Sequence, residues 1–166
     1  MTTLTEIINT PGRYCLRESA ACIDELAESL WAGKRVAVLD APACMVNNLR
    51  VWENLILPAW YHHGGRLVDW EAPLAQKLTQ ARLDEAESQR LLASLPAMLS
   101  QDERRFLVLL RAVVLNPDVL LVDADWWQWL QRQDQDHPAH RLWPEGLVCV
   151  VIGLQVPVEG FQLITI

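Results

Sequence analysis

No apolar stretch in the 166 residues approaches the roughly 20 needed to span a bilayer as a helix. The longest, 106–115, is interrupted by Arg111. The opening segment 1–6 lacks the basic start and apolar core of a secretion signal, so a cytoplasmic chain is expected. Cysteine is scarce: the four residues Cys15, Cys22, Cys44 and Cys149 form no Cys-x-x-Cys pair and have no regular spacing. That excludes a disulfide framework and predicts reduced thiols packed inside. Basic residues are the minority, 14 against 21 acidic, for a net charge of −7. Nucleic-acid binding needs cations that replace counterions, so this balance argues against it. Phenylalanine is nearly absent at two, and there is no internal repeat or low-complexity tract.

Hydrophobic residues make up 51% of the chain and charged residues 21%. That composition excludes a disordered tail, a collagen-like fibre and a coiled coil. The length suits one domain, with room for a subdomain, burying about two-thirds of its unfolded surface. Eight tryptophans are unusual, and Trp126, Trp127 and Trp129 crowd into one short segment. Two readings stand for them: an exposed contact surface or ordinary core packing.

The patterning predicts alternating helices and buried strands. Leu16, Ala20, Ile23, Ala27 and Leu30 follow the steps of one helical face over 16–31. Gly33 and Lys34 read as a plain helix stop, and 35–39 as a short buried strand ending at Asp40, with Pro42 keeping the chain extended. A helix is expected to enter at Asn47, Asn48 and Leu49, run over 50–57 and stop at Pro58. Residues 60–65 then read as a loop with an aromatic edge, and 73–95 as mostly helix with Asp84, Glu85, Glu87 and Arg90 on a wet face. Ser100 and Glu103 have capping-box spacing, starting a helix to about Leu115. Asn116-Pro117-Asp118 breaks it, 119–122 is a buried strand into Asp123, 147–152 is another, and 161–166 a last one. Together these predict an α/β protein, a mostly parallel sheet with helical cover.

The gapless stretch 99–123, with Ser100 opening a helix, Arg111-Ala112 late in it, and Asn116-Pro117-Asp118 leading into 119–123, resembles the ATP-binding-cassette (ABC) ATPase family. There a signature loop opens a helix and Asn-Pro-Asp precedes the Walker B strand. Residues 48–58 are similar to the segment after the family's Q-loop, and Asp40 falls near the Q-loop glutamine. The resemblance covers roughly 35–155 and implies a truncated ABC ATPase domain. Its helical subdomain would lie at about 45–100 and its sheet core at 33–40 and 100–166.

The departures concern chemistry. The family's phosphate loop, GxxxxGK[ST], cradles phosphates with backbone amides and a lysine, and none is present; the family's order places it at or before residue 1. The resemblance makes Asp123 the magnesium-side Walker B aspartate. The catalytic glutamate expected next, which polarises the attacking water, is Ala124, and Asp125 one residue on would point differently. Gln101 and Asp102 replace the signature glycines, placing side chains, one anionic, where a phosphate approaches. Ser100 survives, but the capping box with Glu103 accounts for it. Gly153, Leu154 and Gln155 occupy the switch-histidine region. Asp123, Ser100, Glu103 and Asp40 are thus remnant nucleotide-site positions with no catalytic residue among them.

Other chemistry finds little support. His137 and His140 with Asp134 and Asp136, and the pair His62-His63, read as solvated loops rather than metal sites. The cysteines have no visible base. The resemblance implies a structural or regulatory subunit lacking ATPase activity and cofactor. Its partners would be an ABC ATPase, a permease or a second copy, meeting the membrane only through a permease at its inner face. Trp52, Asn54, Pro58, Trp126, Trp127 and Trp129 are the interface candidates; aromatics are enriched at interface hot spots. Two alternatives stand: a subunit that binds Mg-ATP only when a partner supplies the phosphate loop, and a free-standing α/β interaction protein.

Overall fold

The computed structural model describes residues 9–17, 22–40, 42–154 and 158–164. In chain order the elements are β1 (Gly12–Leu16), α1 (Ile23–Trp31), β2 (Val36–Leu39), α2 (Val51–His63), α3 (Glu71–Ala81), α4 (Glu85–Ala93), α5 (Gln101–Val114), β3 (Val119–Asp123), α6 (Ala124–Gln131), α7 (Pro138–Leu142), β4 (Val148–Ile152) and β5 (Gln162–Ile164). They form two units, one of 1–41, 116–132 and 144–166, the other of 42–115 and 133–143.

The first unit is an α/β sheet in the order β2-β3-β4-β1-β5, with every pairing parallel. Its central strands β3 and β4 read Val-Leu-Leu-Val-Asp and Val-Cys-Val-Val-Ile and are buried almost throughout. Such continuous apolar runs suit a parallel sheet covered on both faces, where alternation would bury polar side chains. Ile23, Leu26, Ala27 and Leu30, spaced at helical steps on α1, are buried in one cluster with Leu121, Val150 and Ile152. At the amino edge, Arg35 and Asp118 lie just before β2 and β3. The Arg35 guanidinium donates to both Asp118 oxygens at 2.9 and 3.2 Å, and the Asp118 N–H donates to the Arg35 carbonyl at 2.8 Å.

The helix expected over 16–31 is corrected here. The helix is present over Ile23–Trp31, but Leu16 is the last residue of β1, whose Tyr14, Cys15 and Leu16 are buried and whose hydrogen-bonding partners β4 and β5 come far later in the chain. Ala20 lies outside the described residues, as do the last two positions of the strand expected over 161–166.

The second unit is helical. α2 does not stop at Pro58 but runs to His63, so Trp60 to His63 form its last turn rather than a loop, and the chain turns at Gly64 with φ +68°. A mid-helix proline loses one hydrogen bond and costs about 3 kcal/mol. Burial of Ile56 before it and Ala59 after it outweighs that loss. The helical run 73–95 is two helices, broken where Arg82 adopts a left-handed φ of +56° and Asp84 caps α4 through its side chain. Residues 101–114 and 133–143, expected with the sheet core, belong to this unit.

Cys15 and Cys149 are buried and Cys22 half-buried, but Cys44 is exposed, contrary to the expectation of packed thiols. Among the described residues no helix is long and apolar enough to cross a membrane.

Candidate functional site

In open α/β sheets ligands bind beyond the carboxyl ends of the strands, so the residues leaving that edge of the sheet unit define the candidate site. Leu39 of β2 pairs with Val122 of β3, and the next residues are Asp40 and Asp123. The two residues therefore follow paired positions at the ends of neighbouring strands. Asp123 ends β3 and directly caps α6, its Oδ1 accepting from the Asp125 N–H at 2.6 Å. The strand-to-helix turn has no loop, so the residue after Asp123 is the first of the helix, the buried Ala124. Asp125 is exposed. Beyond β4 the chain passes through Gly153, whose φ of +93° suits a residue without a Cβ. The Gly153 N–H donates to the Leu16 carbonyl at 3.0 Å, and Leu154 is buried; Gln155 lies outside the described residues. Beyond β1, residues 17–22 lead to α1, with 18–21 outside the described residues.

In the helical unit, Ser100 and Glu103 form the expected capping box. The Ser100 Oγ accepts from the Glu103 N–H at 3.2 Å and the Ser100 N–H donates to Glu103 Oε2 at 2.7 Å. Arg90 joins α4 to this cap, donating to Glu87 Oε1 at 2.7 Å and to the Glu103 carboxylate. Burial by itself would raise the Glu103 pKa, but the Ser100 N–H and the Arg90 guanidinium hold it below the ordinary carboxylate range. Donating hydrogen bonds to these two carboxylates in turn raises the Arg90 pKa. Both groups that sequence reading assigned to the signature region are thus engaged in holding the start of α5. Gln101 and Asp102 are exposed in its first turn.

The interface candidates separate. Trp52 is half-buried and lines an open groove of about 490 Å³ with Arg50, Gln89, Leu92 and Ala93. Asn54 is 1% exposed: its Oδ1 accepts from the Val46 N–H at 2.7 Å and its Nδ2 reaches the Val46, Leu49 and Arg50 carbonyls, each at 3.1 Å. It clamps the turn before α2, offers no surface, and is corrected from interface candidate to internal support. Pro58 is half-buried within α2. Of the two readings left open for the tryptophans, core packing holds in this chain, since Trp126, Trp127 and Trp129 are 0%, 6% and 3% exposed. Their indoles pack as rings, Trp126 on Trp129 and Trp127 on Phe161 with centroids 5.2 Å apart. The helical period of α6 could have signalled this, because positions 126, 129 and 130 share a face.

Sequence reading missed the exposed Met98 and Leu95, at 72% and 41%. It also missed that His137 caps a short helix, its Nδ1 accepting from the Ala139 N–H at 3.2 Å. Among the described residues no group of His, Cys, Asp and Glu is placed to hold a metal ion. Burial pushes the Cys149 thiol up to about 12, leaving it without thiolate character at neutral pH.

No family model and no curated protein matches the chain. Solved structures do. One is a dimeric post-hydrolysis state of the ATP-binding cassette MJ0796 bound to ADP and Pi. It matches at 20% identity with a TM-score of 0.59, over 86% of this chain and 62% of that one. Another dimeric structure of MJ0796, a bacterial ABC transporter cassette, matches at 18% identity and TM-score 0.54, over 80% of this chain and 58% of that one. The chain therefore spans less than two-thirds of the length of these cassettes, and it has the fold of an ABC ATPase cassette.

Proposed function

We propose that this chain is an ABC-type subunit with no ATPase activity of its own, acting as a structural or regulatory partner in a transporter complex. The observation that carries the reading is the end of β3. Asp123 is engaged in capping α6, and the residue after it is Ala124, which has no group to accept a proton from water. A phosphate loop belongs between a strand and the helix that follows it. Instead of the position at or before residue 1 that the family's order suggested, the 17–22 connection between β1 and α1 is such a place, and it reads Arg-Glu-Ser-Ala-Ala-Cys, without glycine or lysine. Gln101 and Asp102 bring bulk and negative charge to the first turn of α5. Gly153, Leu154 and Gln155 offer no histidine. These residues do not fit a magnesium nucleotide, so no hydrolytic step is assigned to them.

Partner binding is the function left to the scaffold. The groove at Arg50, Trp52, Gln89, Leu92 and Ala93, with the exposed Leu95 and Met98 on the segment after α4, supplies an apolar surface for a permease or a complete cassette. A second copy is the other candidate, since MJ0796 was solved as a dimer.

The test is thermal unfolding of the purified chain with and without millimolar Mg-ATP. A ligand at about 100 times its Kd adds roughly 2.7 kcal/mol, several degrees of Tm for a domain of this size. No shift is expected. A magnesium-dependent shift abolished by Asp123→Ala would overturn the reading in favour of a subunit that binds nucleotide.

A further inference from the structure

We propose that His137 is an acid-sensitive latch on α7: its neutral ring caps the helix, and protonation opens the first turn. The geometry sets the chemistry. Nδ1 accepts from the Ala139 N–H at 3.2 Å, which requires a lone pair on Nδ1 and places the ring proton on Nε2. An imidazolium carries protons on both nitrogens, so Nδ1 would present a hydrogen to the Ala139 hydrogen and the cap is lost. The ring is held in place by the Phe106 side chain of α5, edge-on with centroids 6.2 Å apart at 88°.

The charged groups bearing on the ring are Asp102 of α5 and, from its own segment, Asp134, His140 and Arg141. Burial, His140 and Arg141 oppose the proton and the two carboxylates favour it, leaving the pKa below the ordinary histidine value. The latch is therefore closed at neutral pH and opens only on acidification below the ordinary histidine range. Opening is confined to the first turn. Ala139 and Leu142 are 0% and 1% exposed, and the Arg141 carbonyl accepts from Gln80 Nε2 of α3 at 2.9 Å, so the rest of α7 stays docked. Asp102 ties this response to the start of α5; the latch itself does not depend on the proposed function.

The full chain, labelled with ¹⁵N, is followed by NMR from pH 8 to pH 5. At pH 8 the His137 ring nitrogens should report a proton on Nε2 only. Ala139 amide exchange, corrected for its intrinsic pH dependence, should rise about fivefold toward pH 5, the strength of a typical cap. His137→Asn keeps an acceptor without a titrating proton, so its exchange should be flat and slow; His137→Ala should be fast at both pH values. A proton on Nδ1 at pH 8, or a pH response that survives in His137→Asn or vanishes in His140→Asn instead, would overturn the proposal. The tautomer measurement is made on the unaltered chain and stands even where a variant fails to fold.

Discussion

The two units are held by different means. In the sheet unit the stabilising surface is carbon: Leu120, Leu121, Val122 and Val151 are each 0% exposed. Its most developed side-chain network, Arg35 with Asp118, lies at the amino edge, away from the strand ends where a ligand would sit. In the helical unit, polar side chains fix the elements: Asn54 clamps the approach to α2, Ser100 and Glu103 cap α5, and Arg90 joins α4 to that cap. Burial of apolar strands depends on size and pattern, whereas catalysis depends on particular atoms, so the fold of the sheet unit and its chemistry are set by different residues.

The largest expected effect probes the carbon side of this contrast. Leu121→Ala in β3 removes a fully buried side chain and should destabilise by about 2–5 kcal/mol. It would be read as a lower urea midpoint with hydrogen exchange rising across β2, β3 and β4. A loss under about 1 kcal/mol would mean that the sheet is not the chief source of stability.

Asn54→Ala tests the polar side. It removes a buried amide and its four hydrogen bonds to the turn at 46–50, at a cost of about 1–3 kcal/mol. Exchange should rise in 46–63 while the strands stay protected. Equal loosening of both units would remove the contrast.

The smallest effect is the pH response of Asp118, whose hydrogen bonds with Arg35 lower its pKa to about 2. A carboxylate depressed in the folded state contributes stability above its unfolded pKa of about 3.9 and loses it as pH falls toward the folded value. Stability should therefore decline between about pH 4 and pH 2. The pair is more than a third exposed, so solvent screening limits its worth to about 0.5 kcal/mol. Asp118→Asn should flatten that part of the curve; an unchanged curve would leave the fork with no energetic part in joining β2 to β3.

Much of the architecture was legible in the residues. β2, β3 and β4 are uninterrupted apolar runs, and the start of α5 is written by Ser100 and Glu103, because burial on both faces and helix capping act over a few neighbouring residues. β1 was not legible. Gly12-Arg13-Tyr14-Cys15-Leu16 has no distinctive run, and Leu16 fits a helical face as well as a strand; pairing with β4 and β5 decides between them. Pro58 misled because its local penalty is real, yet the surrounding burial exceeds it. At the candidate site, the nature of the residue after Asp123 was plain from the order of amino acids. That Asp40 follows the strand paired with the one ending at Asp123 was not, because it depends on strand register.

What the amino-acid order determined alone was the α/β class, the apolar strands and the absence of a glutamate after Asp123, since these follow from composition, period and identity. Tertiary structure decided the burial of Trp126, Trp127 and Trp129, the internal use of Asn54 and the capping role of His137. The indoles are core because of the groups they meet, the distant Phe161 among them, whereas Asn54 and His137 bond residues within eight positions and do so because the chain turns there.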